Sequence, residues 1–552
     1  MTTLSSFKGG LVLDGHKKMS ASQPLQTAQL PEKLIIPIQQ HIGHQPEIIV
    51  SVGEHVLKGQ CIAKATDNIS ASIHASSSGI VTAIDEHPVA HPSGLNAVCI
   101  SIDTDGKDEW RDRNPLKENY KQKDCTELLQ IIRKAGVVGL GGATFPTAAK
   151  LKSCDQQQVE TLIINGAECE PYITCDDILM RERADEIILG VQILQHLLKV
   201  KQTFIAIEDN KPEAIHILTQ ALKKNNSQNT DVISIPTRYP TGGEKQLIKI
   251  ITGKEVPAKG RPADIGILCQ NVATAASIYN AFYLDEPVIS RIVTVTGNAI
   301  NQAANFETLI GTPMSELIDQ SKGYTKDVAG LVMGGPMMGF SLQSDNLPVT
   351  KACNCLLTKT VTETQTVDAK ACIRCGECAD VCPANLLPQQ LYWYSSSKNF
   401  DRAQDLHLFD CIECGCCSTV CPSHIPLVRY YRFAKNEIWA QEKDREKSDI
   451  ARQRHEFREA RIAREKAARE EKLRQKKEML AKKKAEEEGK ADQTDPKKAA
   501  IEAALARVKA KKESAAEKPK NTDNLTEQQQ QKINEADQRR ENNKTKTEDA
   551  KQ

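Results

Sequence analysis

Residues 372–383 read CIRCGECADVCP, and residues 411–422 read CIECGCCSTVCP. Each run has the form C-x2-C-x2-C-x3-C-P, and closely spaced thiolates are soft ligands suited to iron–sulfur clusters or zinc. Three cysteines in two tight loops can wrap three corners of one [4Fe–4S] cubane. The fourth lies past a bend, where Pro383 or Pro422 steers the chain away, so it reaches the neighbouring cubane. Cys372, Cys375, Cys378 and Cys421 then hold one cluster, and Cys411, Cys414, Cys417 and Cys382 the other. Zinc would need four ligands per site but gains nothing from the third C-x-x-C or from a Cys-Pro ending repeated twice. Cys416, inside CGCC, is a spare thiol. Two neighbouring clusters relay single electrons without making or consuming them, so an electron donor is expected elsewhere in the chain.

Candidates for the donor site are three glycine-bearing loops. Residues 136–150 read GVVGLGGATFPTAAK and follow the helical pattern TELLQIIRKA. Glycines let backbone amides approach a phosphate, the following helix favours its charge, and Lys150 can add a cation. The spacing fits neither the Walker A loop nor the dinucleotide fingerprint. Downstream, the strand-like TLIIN runs into GAECEPY, which places Asn165, Glu168 and Glu170 at the strand's end, where open α/β folds bind ligands. RYPTGGEKQLI at 238–248 repeats the theme of glycines before a helix. Together the three loops predict a nucleotide-like ligand.

Four textures along the 552 residues must position these groups. Residues 1–110 carry short β-like runs punctuated by Gly and Pro. Residues 125–345 alternate apolar strands (TLIIN, TFIAIED, DVISIP, RIVTVTG) with helical patterns, the signature of an α/β core. Residues 350–432 hold the cysteine runs. Beyond 433 the composition collapses to Ala, Glu, Lys, Arg and Gln, which predicts a solvated helix with disorder towards Gln552. Asp495-Pro496 is expected to end one helix and KKAAIEAALARVKAKK to start a second. Lys and Arg number 73 against 72 Asp and Glu, so no global field argues for nucleic acid. The N-terminal stretch lacks the apolar core of a signal peptide, and no apolar run approaches the roughly 20 residues of a membrane span. Eighteen cysteines in a chain expected in the cytoplasm or on the cytoplasmic face of a membrane then point to metal or redox chemistry and not to disulfides, with eight in the two runs and the other ten expected as small buried side chains.

GLGGATFPTAAK resembles the flavin loop GRGGAGFPTGxKW of the NADH-binding flavoprotein subunit of respiratory complex I. NGAECEPY is similar to that family's NADESEPG, YPTGGEKQLI to its YxCGEETAL, and CQNVATAASI at 269–278 to its INNVETLANV. With the N-terminal and cysteine-rich blocks included, the closer resemblance is to the C-subunit family of the Rnf (Rsx) electron transport complexes, over roughly residues 1–435. The resemblance implies that Gly139, Gly141, Gly142, Lys150, Asn165, Glu168, Tyr239, Gly242, Gly243 and Asn271 cradle FMN. It puts Phe145, Glu170 and Glu244 on the NADH side. Departures are Leu140 for the family arginine, Ala167 for its aspartate and Gly243 for its first glutamate.

The implied architecture is multidomain α/β. It comprises an N-terminal β barrel-sandwich at 1–110, an α/β flavin-nucleotide domain at 125–285, and a β-grasp insert of the soluble-ligand-binding type at 288–345. A two-cluster ferredoxin domain follows at 350–432, then a charged helical and disordered tail at 433–552. In the barrel-sandwich, VSVGEHVLKGQ and IHASSSGIV resemble a biotinyl carrier, but the tip Asp67-Asn68-Ile69-Ser70 has no lysine, which makes it a structural or docking domain. The implied function is electron input. NADH reduces FMN, FMN converts a two-electron hydride into single electrons for the two clusters, and ion-translocating partners receive them. Those partners would be integral membrane and ferredoxin-like subunits, with this chain peripheral on the cytoplasmic side of the bacterial inner membrane. A soluble diaphorase-like module and a ferredoxin-type connector without nucleotide turnover are the alternatives.

Overall fold

The computed structural model describes residues 4–67, 69–154, 158–365, 367–488, 501 and 504–508. Its central element is a four-stranded, wholly parallel sheet in the spatial order Thr230–Ile235, Gln202–Glu208, Thr161–Gly166, Ile267–Asn271. Parallel strands are covered on both faces and read as continuous apolar runs. Leu162, Ile163 and Ile164 are each fully buried, and so are Ile205, Ala206 and Ile207. One face packs against Ala184–Leu198 and Val272–Tyr279, the other against Glu244–Thr252 through Leu247, Ile248 and Ile251.

The chain builds this sheet outward from Thr161–Gly166 and then returns to lay Ile267–Asn271 on its free side. The reversal creates a topological switch point, with a crevice outside the carboxyl ends of those two strands. Their register puts Asn271 beside Asn165 at the crevice. RIVTVTG does not join this sheet. It forms Ser290–Gly297 in a second, mixed sheet ordered Gln26–Thr27, Ala304–Leu309, Ser290–Gly297, Cys355–Thr360, Val328–Met333, Phe340–Leu342. Val293, Val295, Phe306 and Leu356 pack there with Met314 and Leu317 of the helix Met314–Gln320.

Two expected boundaries move. Cys355–Thr360 is an inner strand of the second sheet, parallel to Ser290–Gly297 and antiparallel to Val328–Met333, so the cysteine-rich unit starts later than residue 350. Its two thiols, Cys353 and Cys355, are core residues. Residues 4–27 also run along the neighbouring units. Ser5 N donates to Ile250 O, Leu11 pairs with Tyr239, and Gln26–Thr27 adds an edge to the second sheet. Gly9 and Gly10 make that path feasible: both have φ above +70°, and a Cβ on Gly9 would lie 2.6 Å from Val381 O.

The remaining N-terminal residues form two small antiparallel sheets enclosing Leu34, Ile36, Ile62, Ile73, Ile100 and Ile102. Asn68 of the lysine-free tip lies outside the described residues. In the cysteine-rich unit the sequence repeat is a backbone repeat. Arg374 and Glu413, Gly376 and Gly415, and Asn385 and His424 all take positive φ at equivalent places. The helix Leu427–Glu488 buries Leu427, Tyr431, Ala434 and Ile438 at helical spacing in that unit. Residues 445–485 of it form a separate stretch whose side chains are nearly all exposed, with i,i+4 pairs such as Arg461–Glu465 and Arg474–Glu478. Asp495-Pro496, most of the expected second helix and the expected terminal disorder lie outside the described residues; 504–508 are helical.

Gly190 lets the helix Ala184–Leu198 touch the backbone of Val272–Tyr279, since a Cβ there would stand 1.9 Å from Ala275 O. Gly190→Ala must push the two helices apart. It should cost about 1–3 kcal/mol, read as a lowered thermal midpoint of the full chain.

Candidate functional site

The crevice at the switch point opens into a cavity of about 840 Å³, within the usual range for a ligand site. Every residue that the resemblance assigns to FMN or NADH lies on its wall: Gly139, Gly141, Gly142, Phe145, Lys150, Asn165, Glu168, Glu170, Tyr239, Gly242, Gly243, Glu244 and Asn271. The two asparagines act as splints. Asn165 Nδ2 donates to Gly242 O at 2.9 Å while its Oδ1 accepts from Ala167 N at 3.1 Å, joining two of the loops. Asn271 Oδ1 caps its helix by accepting from Ala273 N at 2.8 Å, and its Nδ2 donates to Asp176 Oδ2 at 2.7 Å. Gly141 is pressed on Asn271, where a Cβ would stand 3.2 Å from the asparagine Cβ.

Lys150 Nζ meets Glu244 Oε1 at 2.8 Å and Cys269 O at 2.7 Å. Burial works most strongly against its charge, but Glu244 together with the nearby Cys269 and Cys154 raises the amine's pKa. The two residues expected on opposite sides of the ligand are thus paired with each other. The acidic loop is carried by two lysines that sequence reading did not single out. Lys17 Nζ donates to Glu168 O (2.7 Å), Glu170 O (3.1 Å) and Ile173 O (2.6 Å). Lys211 Nζ donates to Ala167 O (2.7 Å) and Glu208 Oε2 (3.0 Å). Lys17 stands 151 residues from Glu168, so no local pattern could have linked them.

Glu170 faces the cavity, but its Oε1 accepts from the amides of Met337 (2.7 Å) and Met338 (3.0 Å). The GGPMMG turn of the second sheet is therefore clasped to the acidic loop. Gly335 is required there, as a Cβ would stand 2.0 Å from Glu170 Cγ. Glu168 Oε1 accepts from Asp176 N at 2.7 Å. Burial pushes the Glu168 carboxyl up to about 8, against the pull of Lys17. Asp176, Cys169, Cys175 and Cys269 also line the cavity, although no motif singled them out. Three buried polar atoms of lining residues have no hydrogen-bond partner: Glu168 Oε2, Gln246 Oε1 and Gln270 Nε2. Glycine-walled access, two lysines (Lys150 and Lys245) and orphaned polar atoms together fit a flat, anionic, hydrogen-bonding ligand such as FMN.

The crossed thiol sets are each brought together. Cys382, Cys411, Cys414 and Cys417 surround one small apolar hollow, and Cys372, Cys375, Cys378 and Cys421 surround another. Among the described residues, which include all 18 cysteines, no disulfide is formed. Among the described residues, no three His, Cys, Asp or Glu groups converge tightly enough for a single metal ion. Thiols standing around a hollow fit a cubane better than tetrahedral zinc. The environments differ. Cys382, Cys414 and Cys417 are buried, whereas in the other set Cys375 is exposed and the rest are half-buried. Cys414 also lines the large cavity, as does Ile412, and Tyr239 Oη donates to Cys414 O at 2.7 Å. Spare Cys416 is fully buried, lines the same hollow as Cys382, Cys411, Cys414 and Cys417, and packs in one cluster with Tyr239, Leu11 and Met337.

The raised Glu168 carboxyl has a stability signature. The unfolded chain loses this proton near pH 4.5, while the folded chain keeps it to about 8, so its contribution falls as pH rises across that window. Chemical denaturation from pH 4.5 to 8 should therefore show a shallower decline for Glu168→Gln than for the unaltered chain.

Four family models match the chain. They are the RnfC barrel sandwich hybrid domain at residues 5–107, the Nuo51 FMN-binding domain at 132–280, the SLBB domain at 292–341 and the 4Fe-4S dicluster domain at 371–425. Among solved structures, the NAD+-reducing [NiFe]-hydrogenase in the H2-reduced state aligns at TM-score 0.43 and 17% identity, over 58% of this chain and 63% of that one. Among the described residues, no helix is long and apolar enough to cross a membrane. Proteins named as the C subunit of an ion-translocating oxidoreductase complex are close relatives. That of Pectobacterium carotovorum subsp. carotovorum (strain PC1) is 50% identical over 84% of this chain and 62% of its own length. That of Pseudomonas aeruginosa PAO1 is 48% identical over 84% and 60%. The chain thus spans about three fifths of the length of those two relatives. With 49% identity over 84% of this chain and 74% of the corresponding Yersinia pestis bv. Antiqua (strain Antiqua) protein, the chain belongs to the C-subunit family of the ion-translocating oxidoreductase complexes, RnfC.

Proposed function

We propose that this chain is the electron-input subunit of a membrane-bound complex that couples electron transfer to ion translocation. NADH is the donor, and FMN and two [4Fe–4S] clusters are the internal carriers. Integral membrane and ferredoxin-like subunits on the cytoplasmic side of the bacterial inner membrane are its partners. The observation that carries this reading is contiguity: Cys414 belongs both to the wall of the 840 Å³ cavity and to one thiol set. The same contiguity orders the carriers. The buried Cys382/Cys411/Cys414/Cys417 set abuts the cavity and receives electrons first. The set with exposed Cys375 is last and faces the acceptor.

When bound, FMN supplies the conversion of a two-electron hydride into single-electron transfers. The chain's own residues bind and orient. Lys150 and the amides around Gly141, Gly142, Gly242 and Gly243 meet the phosphate, for which Glu244 must release Lys150. Asn165 and Asn271 fix the loops, while Phe145 and the Met337–Met338 turn wall off the nicotinamide side from water. On the same reading, the sheet around 288–345 is a β-grasp unit closed by Cys355–Thr360, set between the flavin domain (125–285) and the ferredoxin-type unit.

Anaerobically reconstituted chain should carry about eight irons and one flavin, and NADH should bleach the flavin and reduce both clusters. Cys382→Ser should remove the inner cluster and stop NADH from reducing the outer one. Cys421→Ser should remove the outer cluster alone and leave NADH reduction of the inner one intact. Paramagnetic spectra after NADH addition read both variants. Intact clusters with no flavin and no NADH reaction would leave only a connector.

Lys150→Met should weaken FMN binding about 10- to 100-fold, as expected for losing one charge-assisted phosphate contact, measured by fluorescence quenching on the flavin-free chain.

A further inference from the structure

The flavin cavity shares walls with further hollows. Leu140, Cys175 and Asp176 form part of its wall and also part of the wall of a narrow hollow of about 50 Å³. By the usual allowance of about 10–15 Å³ each, that hollow holds roughly three to five water molecules. It in turn shares Arg183, Glu186, Ser277, Asn280, Ser290 and Glu307 with an outer cavity of about 520 Å³, beside Trp110 and Lys58 of the N-terminal unit. The three spaces thus adjoin one another in turn, from the flavin site to a large polar recess.

The walls of this series suit water and protons. Glu168 Oε1 accepts from the backbone N of Asp176 at 2.7 Å, and Glu168 Oε2 is buried without a hydrogen-bond partner. Asp176 lines both the flavin cavity and the narrow hollow, held by Asn271 Nδ2 at 2.7 Å. Asn280 Oδ1 is likewise buried without a partner. It opens the π-helical turn Asn280–Leu284, which widens the end of the helix Val272–Tyr279 at this point. Beyond it stand Glu186 and the Arg183–Glu307 ion pair. Arg291 completes the narrow wall, its guanidinium spent on the carbonyls of Lys351 and Leu140.

The proposed reaction needs such an exit. NADH and two oxidised clusters give NAD+, two reduced clusters and one proton, because the hydride's two electrons leave singly and its proton stays behind. Bound flavin and nicotinamide close the cavity's mouth to water, so that proton has to leave by another side. We propose that the series of hollows is the proton exit of the flavin site, with Asp176 passing the proton from the Glu168 side to water against Asn280, and thence past Glu186 to the outer cavity. Burial raises the Asp176 carboxyl, so it can take up a proton, while Asn271 and the positive charge of Arg291 work against its keeping it.

This path rests on the electron-input reading, but the two can fail separately. Ser277 makes only a local bond, its Oγ donating to Ala273 O at 2.8 Å, so Ser277→Leu plugs the passage without touching the flavin cradle. In full-length, reconstituted Ser277→Leu chain, stopped-flow mixing with NADH in a pH-indicator dye should show flavin bleaching at the unaltered rate and proton release slowed about tenfold or more. Asp176→Asn also touches Asn271 in the cradle, so it is read as proton release per flavin bleached, which should be slowed likewise. Unslowed release in both variants, with flavin and clusters still reduced, overturns the proton path and leaves the electron-input reading standing. A high-resolution crystal structure of the full chain gives a readout independent of turnover: ordered waters should link the Asp176 carboxylate, Asn280 Oδ1 and Glu186. A dry gap between Asp176 and Asn280 overturns the path. Failure of NADH to bleach bound flavin overturns the electron-input reading, and the water positions then decide the path alone.

Discussion

The reversal of strand order at Thr161–Gly166 is the constraint on which the rest depends. Parallel strands leave their carboxyl ends on one edge, and where the chain changes direction the loops there diverge and leave a crevice. Here the divergence falls between Asn165 and Asn271, which the register sets side by side. Each asparagine spends its side chain on neighbouring backbone or on Asp176 rather than on solvent. The glycine loop at 139–142, the acidic loop at 167–173 and the loop at 239–243 converge on this edge because all three are tied to that pair of strands.

A crevice with buried carboxylates is costly unless their charge and the carbonyls around them are satisfied. Lys17 and Lys211 supply most of that satisfaction. Lys211 comes from the turn beyond Gln202–Glu208, Lys17 from an N-terminal strap that crosses three units before entering its own. The strap hydrogen-bonds to Val381, next to Cys382 of one thiol set, to Tyr239 and to the acidic loop. One short segment thereby sets the flavin cavity and the inner thiol set in register, and Tyr239 to Cys414 adds a second tie. For electron transfer, which falls steeply with distance, such bracing matters more than any acid or base.

Burial makes a symmetric motif asymmetric. The two cysteine runs have the same backbone, down to paired positive-φ residues, yet one is packed under Tyr239, Ile412 and Met337 and the other stands at the surface. A repeat that would by itself be two equivalent sites becomes two different ones, because only one half meets the flavin unit. The same packing, on the far side of Asp176, leaves the water-sized hollow beneath the π-helical turn.

Much of this was legible in the residues. The crossed grouping of the thiols, which the structure brings together around two hollows, follows the spacing of the runs and their Cys-Pro endings. The parallel strands announce themselves as unbroken apolar runs, and the glycine loops as places where only backbone can approach a ligand. What sequence could not supply was long-range: Lys17 beneath Glu168, Glu170 clasping the Met337–Met338 turn, Lys150 paired with Glu244, and Cys355–Thr360 as an inner strand of another sheet. Each joins residues tens to hundreds of positions apart through a single polar contact or a short strand, which leaves no periodicity to read. The sequence by itself determined which groups could carry electrons. Tertiary structure decided which thiol set faces the flavin cavity and which faces out, because burial belongs to the packing of whole units and not to any motif.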